Sequence, residues 1–176
     1  MKKTVALILS LIILLSAASC GKEEYFPSYE PYEQSVVAAR KFKEEFTQYS
    51  GEGTNKRSKL VYPDNFAGLY IGEDHVLYIL YTHDKESLMN NVSEKEAVFK
   101  QVDYGYNYLE NVRAFATYYG MAYSATSCYI DEKENKVAVH IAEENRDALI
   151  ERLYQTLDGF DENTLSFRPP MIAVAT

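Results

Sequence analysis

Few residues of this chain have the type and spacing that chemistry needs. Its three histidines are His75, His83 and His140, and no two stand four apart, the spacing that puts a pair of imidazoles on one helical face for zinc. Cys20 and Cys128 are the two thiols, and neither has a histidine near it in sequence. No Gly-x-Ser-x-Gly elbow presents a serine. Gly51-Glu-Gly53 lacks the Lys-Ser or Lys-Thr that would follow in a phosphate loop, and the basic residues of 51–59 read as a solvated loop edge. The acidic stretches 131–135 and 158–163 lack the alternating oxygen ligands, central glycine and closing glutamate of a calcium loop, so both read as solvated turns. Paired carboxylates for sugar hydrolysis form in space and leave no such pattern, and nothing points to them. The expectation is a chain with no catalytic site, no metal and no cofactor, which leaves binding.

The N-terminus says where such binding would take place. Lys2 and Lys3 precede an apolar run from Val5 to Leu15, which is too short to span a membrane, for which about 20 residues are needed. Small residues, Ser16-Ala17-Ala18-Ser19, lead into Cys20. This arrangement resembles the lipobox of bacterial lipoproteins, with Ala17 where leucine is commoner. The resemblance implies cleavage after residue 19 and lipid attachment at Cys20, and several buried acyl chains hold a protein on a membrane where one does not. The expected location is therefore extracytoplasmic, with the membrane as partner through the lipid. Residues 20–34, with two prolines and no period, read as a tether reaching at most about 45 Å. Without residues 1–19 the chain keeps 16 basic and 26 acidic residues, a formal charge of −10. Such a surface repels phosphate backbones, so nucleic acid is not an expected partner. Cys128 would be left as the one thiol, which excludes an internal disulfide, and its place in an alternating strand makes it a core residue.

Partner contacts are sought among the strands and tyrosines. The run 124–142 reads as a β-hairpin turning at Asp131–Asn135. Cys128, Ile130, Val137, Val139 and Ile141 alternate onto one face, and Tyr129, Lys136, Ala138 and His140 onto the other. Tyrosine is abundant, with 16 residues and no tryptophan. Tyr104, Tyr106 and Tyr108, spaced by two, would share one side of an extended stretch, with Tyr118, Tyr119 and Tyr123 beyond. They either fill the core with their hydroxyls at its rim or form an exposed aromatic face. The candidate partner-binding residues are Tyr129, Lys136, His140, Tyr104, Tyr106 and Tyr108.

The elements that must position these residues follow from periodicity. Ser35 to Tyr49, Asn107 to Tyr119 and Glu144 to Leu157 carry apolar stripes at helical spacing, and Gly120 and Gly159 stand where the last two should end. A short helix is expected from His83 to about Asn91, and Ser93 to Glu96 matches a capping box that could instead open a helix there. A second hairpin joins 66–71 to 76–82 through Gly72-Glu-Asp-His75, and a strand is expected over Val98–Tyr104. The fold expected is α+β: an antiparallel sheet built from two β-hairpins plus a strand, with about four helices packed on one face, in a single domain over 35–160. The two prolines after Arg168 place 161–176 in an extended or disordered tail.

The runs Phe66-Ala-Gly-Leu-Tyr-Ile, Val76-Leu-Tyr-Ile-Leu-Tyr-Thr, Val102-Asp-Tyr-Gly-Tyr-Asn-Tyr-Leu109 and Cys128 to His140 together resemble the pro-domains of secreted serine proteases of the alpha-lytic protease and streptogrisin kind. The likeness spans about Phe66 to Leu157 and is closest from Tyr129 to Val139. It implies an α+β module that docks a sheet on a protease, inhibits it or assists its folding, and lays its C-terminal tail in the active site. With no protease following residue 176 in this sequence, action in cis is not expected, and the resemblance leaves either a role in trans on another, secreted protease or reuse of the fold for other binding. A different reading of the same chain is a surface lipoprotein that binds glycans or small ligands through its tyrosines.

Overall fold

The structure, a computed structural model, describes residues 31–50, 57–89 and 92–171. Cys20, the apolar run before it and most of the expected tether lie outside the described residues. Helix α1 spans Pro31–Glu45 and so takes in the last residues assigned to the tether. Proline fits the first helical position because its missing N–H has no helical partner there, and Glu33 and Lys43 complement the helix dipole at its two ends. Its buried stripe is Ser35, Ala38 and Phe42. The helix stops short of Tyr49: Phe46 N–H and the Thr47 hydroxyl both donate to Lys43 O, at 3.2 and 3.0 Å. Thr47–Ser50 then forms β1, paired antiparallel with β2, Arg57–Leu60, where a helix end and a loop were expected.

Two three-stranded sheets follow. The first has β3 (Phe66–Ile71), β4 (Leu77–Tyr81) and β5 (Ala97–Gln101), and the second has β6 (Ser127–Asp131), β7 (Lys136–His140) and β8 (Leu165–Arg168). Both expected hairpins are present, β3–β4 and β6–β7. The single antiparallel sheet is corrected to three sheets, and β4–β5 and β7–β8 are parallel pairs. A parallel pair requires a crossover. The second unit supplies one with helix α3, Arg146–Thr156, and the first manages with a 3-10 turn, Lys85–Leu88. With α2 over Tyr106–Gly120, the described residues hold three α-helices where about four were expected. The Ser93–Glu96 capping box forms, with Glu96 Oε2 accepting from Ser93 N and Oγ at 3.0 and 2.9 Å, but it closes a turn that runs into β5. Leu165–Arg168, placed by the prolines in a tail, is a strand of the second sheet. Pro169 and Pro170 end it and do not prevent it.

The two units repeat one plan. Each has a helix whose buried stripe, Ser35-Ala38-Phe42 or Leu109-Val112-Ala116, packs on its own hairpin. Each hairpin turn ends in a left-handed residue, His75 (φ 63) or Asn135 (φ 54). Each third strand follows a hydrogen-bonded turn, Ser93–Glu96 or Asp161–Thr164, and sets a phenylalanine opposite a buried apolar residue of the central strand, Ile79↔Phe99 and Val139↔Phe167. The cores are separate accordingly. One gathers Phe42, Phe66, Leu77, Ile79, Leu88 and Val92, and the other Leu109, Val112, Val137, Val139, Leu149 and Leu153. Full burial of one such side chain contributes about 1.5–3 kcal/mol.

The turn of the second hairpin joins the units. Asn135 is buried, and its side-chain amide accepts from Tyr104 N at 2.9 Å and donates to Tyr104 O at 2.8 Å. A Cβ on Gly68, which sits at a bulge in β3 with φ +127, would approach Glu132 Cγ to 2.9 Å. The turn read as solvated is thus partly buried, held against the segment that links the units and against β3 of the first. Burial pushes the Glu132 carboxyl above its ordinary pKa, with Lys43 opposing and Asp131 adding to the rise. An acid whose folded pKa is raised stabilises the fold below its unfolded pKa and loses that contribution as pH climbs through the folded value. Glu132→Gln should therefore raise the melting temperature relative to the parent at pH 7, with the difference gone at pH 4, as thermal scans at the two pH values would read.

Candidate functional site

Alternation divides the second sheet into two faces. Cys128 and Ile130, Val137 and Val139, Leu165 and Phe167 face α2 and α3 and belong to the core or pack against it. Ser127, Tyr129 and Asp131 of β6, Lys136, Ala138 and His140 of β7, and Ser166 and Arg168 of β8 point the other way. None of this second row joins either core cluster. The division follows from strand geometry acting on a sequence whose apolar residues fall at every other position.

Arg168 organises the outer face. Its guanidinium reaches across β7, with Nη1 donating to Tyr129 Oη at 2.6 Å and Nη2 to Asp131 Oδ2 at 2.5 Å, and with Glu134 Oε1 at 3.3 Å. Its Cζ stands 5.5 Å from the Tyr129 ring centroid, within cation–π range. Ala138 lies in register between Tyr129 and Ser166 and is fully buried. A methyl group is short enough for the arginine to pass over it. The hydrogen bond to Asp131 holds the guanidinium pKa above its ordinary value. His140 completes the group: its ring stacks on Tyr129 at 6.0 Å and 29°, and Nδ1 lies 2.7 Å from Pro169 O. A carbonyl only accepts, so Nδ1 carries a proton and is the donor of this bond. The result is a flat aromatic pair edged by a guanidinium already neutralised by carboxylates.

Three of the candidate residues, Tyr129, Lys136 and His140, therefore share this face, with Tyr129 37% exposed and Lys136 at the far end opposite Asp131. Tyr104, Tyr106 and Tyr108 do not form one face. Helix α2 begins at Tyr106, so a spacing of two no longer returns a side chain to the same side. Tyr104 Oη donates to Asp161 Oδ2 at 2.7 Å, and burial together with that bond pushes its pKa up to about 12. Tyr108 stacks on Tyr104 at 6.0 Å and bonds the backbone of Gly159 and Asp161. Tyr106 turns into the first unit, 5.3 Å from the ring of Tyr62 and 5.6 Å from that of Phe66. Tyr118, by contrast, is 67% exposed.

Sequence reasoning missed Arg168 and Asp131. The signal was present, since Leu165-Ser-Phe-Arg168 alternates like a strand, but the prolines after it outweighed four residues. Cys128 is half-buried against the second core, and burial pushes its thiol pKa up, away from nucleophilic character. Among the described residues no three His, Cys, Asp or Glu side chains are grouped to hold a metal, and no helix is long and apolar enough to cross a membrane. The chain matches no family profile and no curated protein.

Proposed function

We propose that this chain is an extracytoplasmic binding module without catalytic activity, anchored by lipid at Cys20, that docks a partner protein on the outer face of its second sheet. The observation that carries the reading is the contrast between the two faces of that sheet: two helices seal one, and the other holds Tyr129, His140 and Arg168 in a hydrogen-bonded, partly exposed group. Aromatic and arginine side chains held rigid at a surface give large contact area at low entropic cost. The likeness of 66–157 to protease pro-domains suggests a secreted serine-type protease as the partner, acted on in trans.

The test is to titrate the purified protein into such a protease and follow its activity and its refolding. Tyr129→Ala and Arg168→Ala should each weaken the effect at least about tenfold, the loss of a typical interface anchor. Lys136→Ala should change it little, and circular dichroism should show all three variants folded. No change in activity or refolding at saturating protein removes the protease role. A tail contribution is tested by stopping the chain after Met171, because a deletion from Phe167 would take half of β8 with it.

A further inference from the structure

The two units differ at one place where their shared plan should make them alike. In the second, Tyr108 and Leu109 on the first turns of α2 fill the space beside the turn that leads into β8. Tyr108 Oη donates to Gly159 O at 3.2 Å and accepts from Asp161 N at 3.1 Å, and Leu109 and Phe160 are buried next to it. Superposing the buried helix stripes puts Gln34 and Ser35 at the matching positions of α1, and Val92 stands as far before β5 as Phe160 stands before β8. Each exchange removes volume. What remains in the first unit is a groove of about 530 Å³ between α1 and the N-terminal ends of β4 and β5. Val37, Val76, Ala97 and Val98 line it, and Val37 and Val98 are 50% and 45% exposed.

We propose that this groove receives an aromatic side chain from a partner polypeptide, the part that Tyr108 plays within the second unit. The volume lies in the range of small-ligand sites. His75 lines one side, held from behind by the Tyr32 ring edge-on at 5.7 Å, and Ser35 Oγ, also in the lining, donates to His75 O at 2.5 Å. The charges around it suit a neutral ring. Glu94 is tied to Lys85 at 2.7 Å, Glu96 to Ser93 with Lys41 3.8 Å away, and Asp74 to Tyr78 at 2.8 Å. Lys95 lines the groove with no ion pair among the described residues, which favours an acidic residue beside the aromatic one. This site lies in the other unit from the Tyr129 face and stands whether or not that face binds a protease.

The experiment titrates N-acetyl-tyrosine amide, with N-acetyl-leucine amide as comparison, into the full chain held in mild zwitterionic detergent, and follows amide and methyl NMR shifts. The tyrosine derivative should saturate shifts at Val37, Val76, Ala97 and Val98 with a dissociation constant on the order of 1 mM, and the leucine derivative should bind at least about tenfold more weakly. Gln34→Tyr, which writes the second unit's residue into the first, should raise the melting temperature and abolish those shifts. Val37→Asp, on an exposed position, should abolish them without changing the fold. Shifts elsewhere, equal affinity for leucine, or unchanged binding in Gln34→Tyr would overturn the proposal. So would binding that appears only after Phe26→Ser and Tyr29→Ser, since the chain's own N-terminal segment would then be the occupant.

Discussion

Phe42→Ala should destabilise the protein by about 3–5 kcal/mol, the usual loss when a buried phenylalanine is truncated to alanine. Phe42 is fully buried, and its ring lies 5.1 Å from Phe46 and 5.6 Å from Phe66. It is the largest residue that α1 contributes to the first core, where the rest of the buried stripe is Ser35 and Ala38. Removing it leaves a cavity that rigid sheet neighbours cannot refill. Because the two cores are separate clusters, the effect should be local before it is global. Hydrogen exchange should show α1, β3 and β4 losing protection while β6, β7 and α2 keep theirs. Uniform loss over both units would show that they unfold as one body.

Asn135→Ala should cost about 2–4 kcal/mol. The substitution deletes both hydrogen bonds to Tyr104 and strands a backbone N–H and a carbonyl at the joint, each worth about 1–3 kcal/mol when left unsatisfied in a buried place. It also puts an alanine at φ 54, where asparagine is tolerated and most side chains are strained. Asn135→Gly separates the two causes, since glycine accepts the backbone angle and lacks the amide. It should recover about 1 kcal/mol of the loss in urea unfolding. Equal stability of the alanine and glycine variants would show that backbone strain adds nothing there. Either variant should also loosen the coupling between units, so that damage such as Phe42→Ala spreads less into the second.

The hairpins and the helix faces were legible because they rest on periodicity. Val137, Val139 and Ile141 repeat at two, Leu109, Val112 and Ala116 at three and four, and such repeats leave few alternatives for which side is buried. The outer-face assignment of Tyr129, Lys136 and His140 came from the same alternation. What stayed hidden depended on partners distant in sequence. Nothing in Ala97–Gln101 or Leu165–Arg168 records the sense in which a strand will pair, so a parallel third strand looked like a tail in one case and part of an antiparallel sheet in the other. The doubled plan was equally silent, because the two units keep strand pairing and turn conformations in common and few identical residues.

By itself, then, the order of residues determined the alternation that makes one side of each hairpin apolar, the helical stripes that must cover it, and the excess of acidic over basic side chains. Only the tertiary structure decided that Arg168 would cross Ala138 to hold Tyr129 and Asp131, that Tyr104 and Tyr108 would turn to Asp161 while Tyr106 turned away, and that Asn135 would be buried against the backbone of Tyr104. The physical reason is that local patterns are set by backbone geometry, which every residue carries with it. A guanidinium, a phenol or an amide takes its role from whichever donor, acceptor or ring the rest of the chain brings within about 3–6 Å of it.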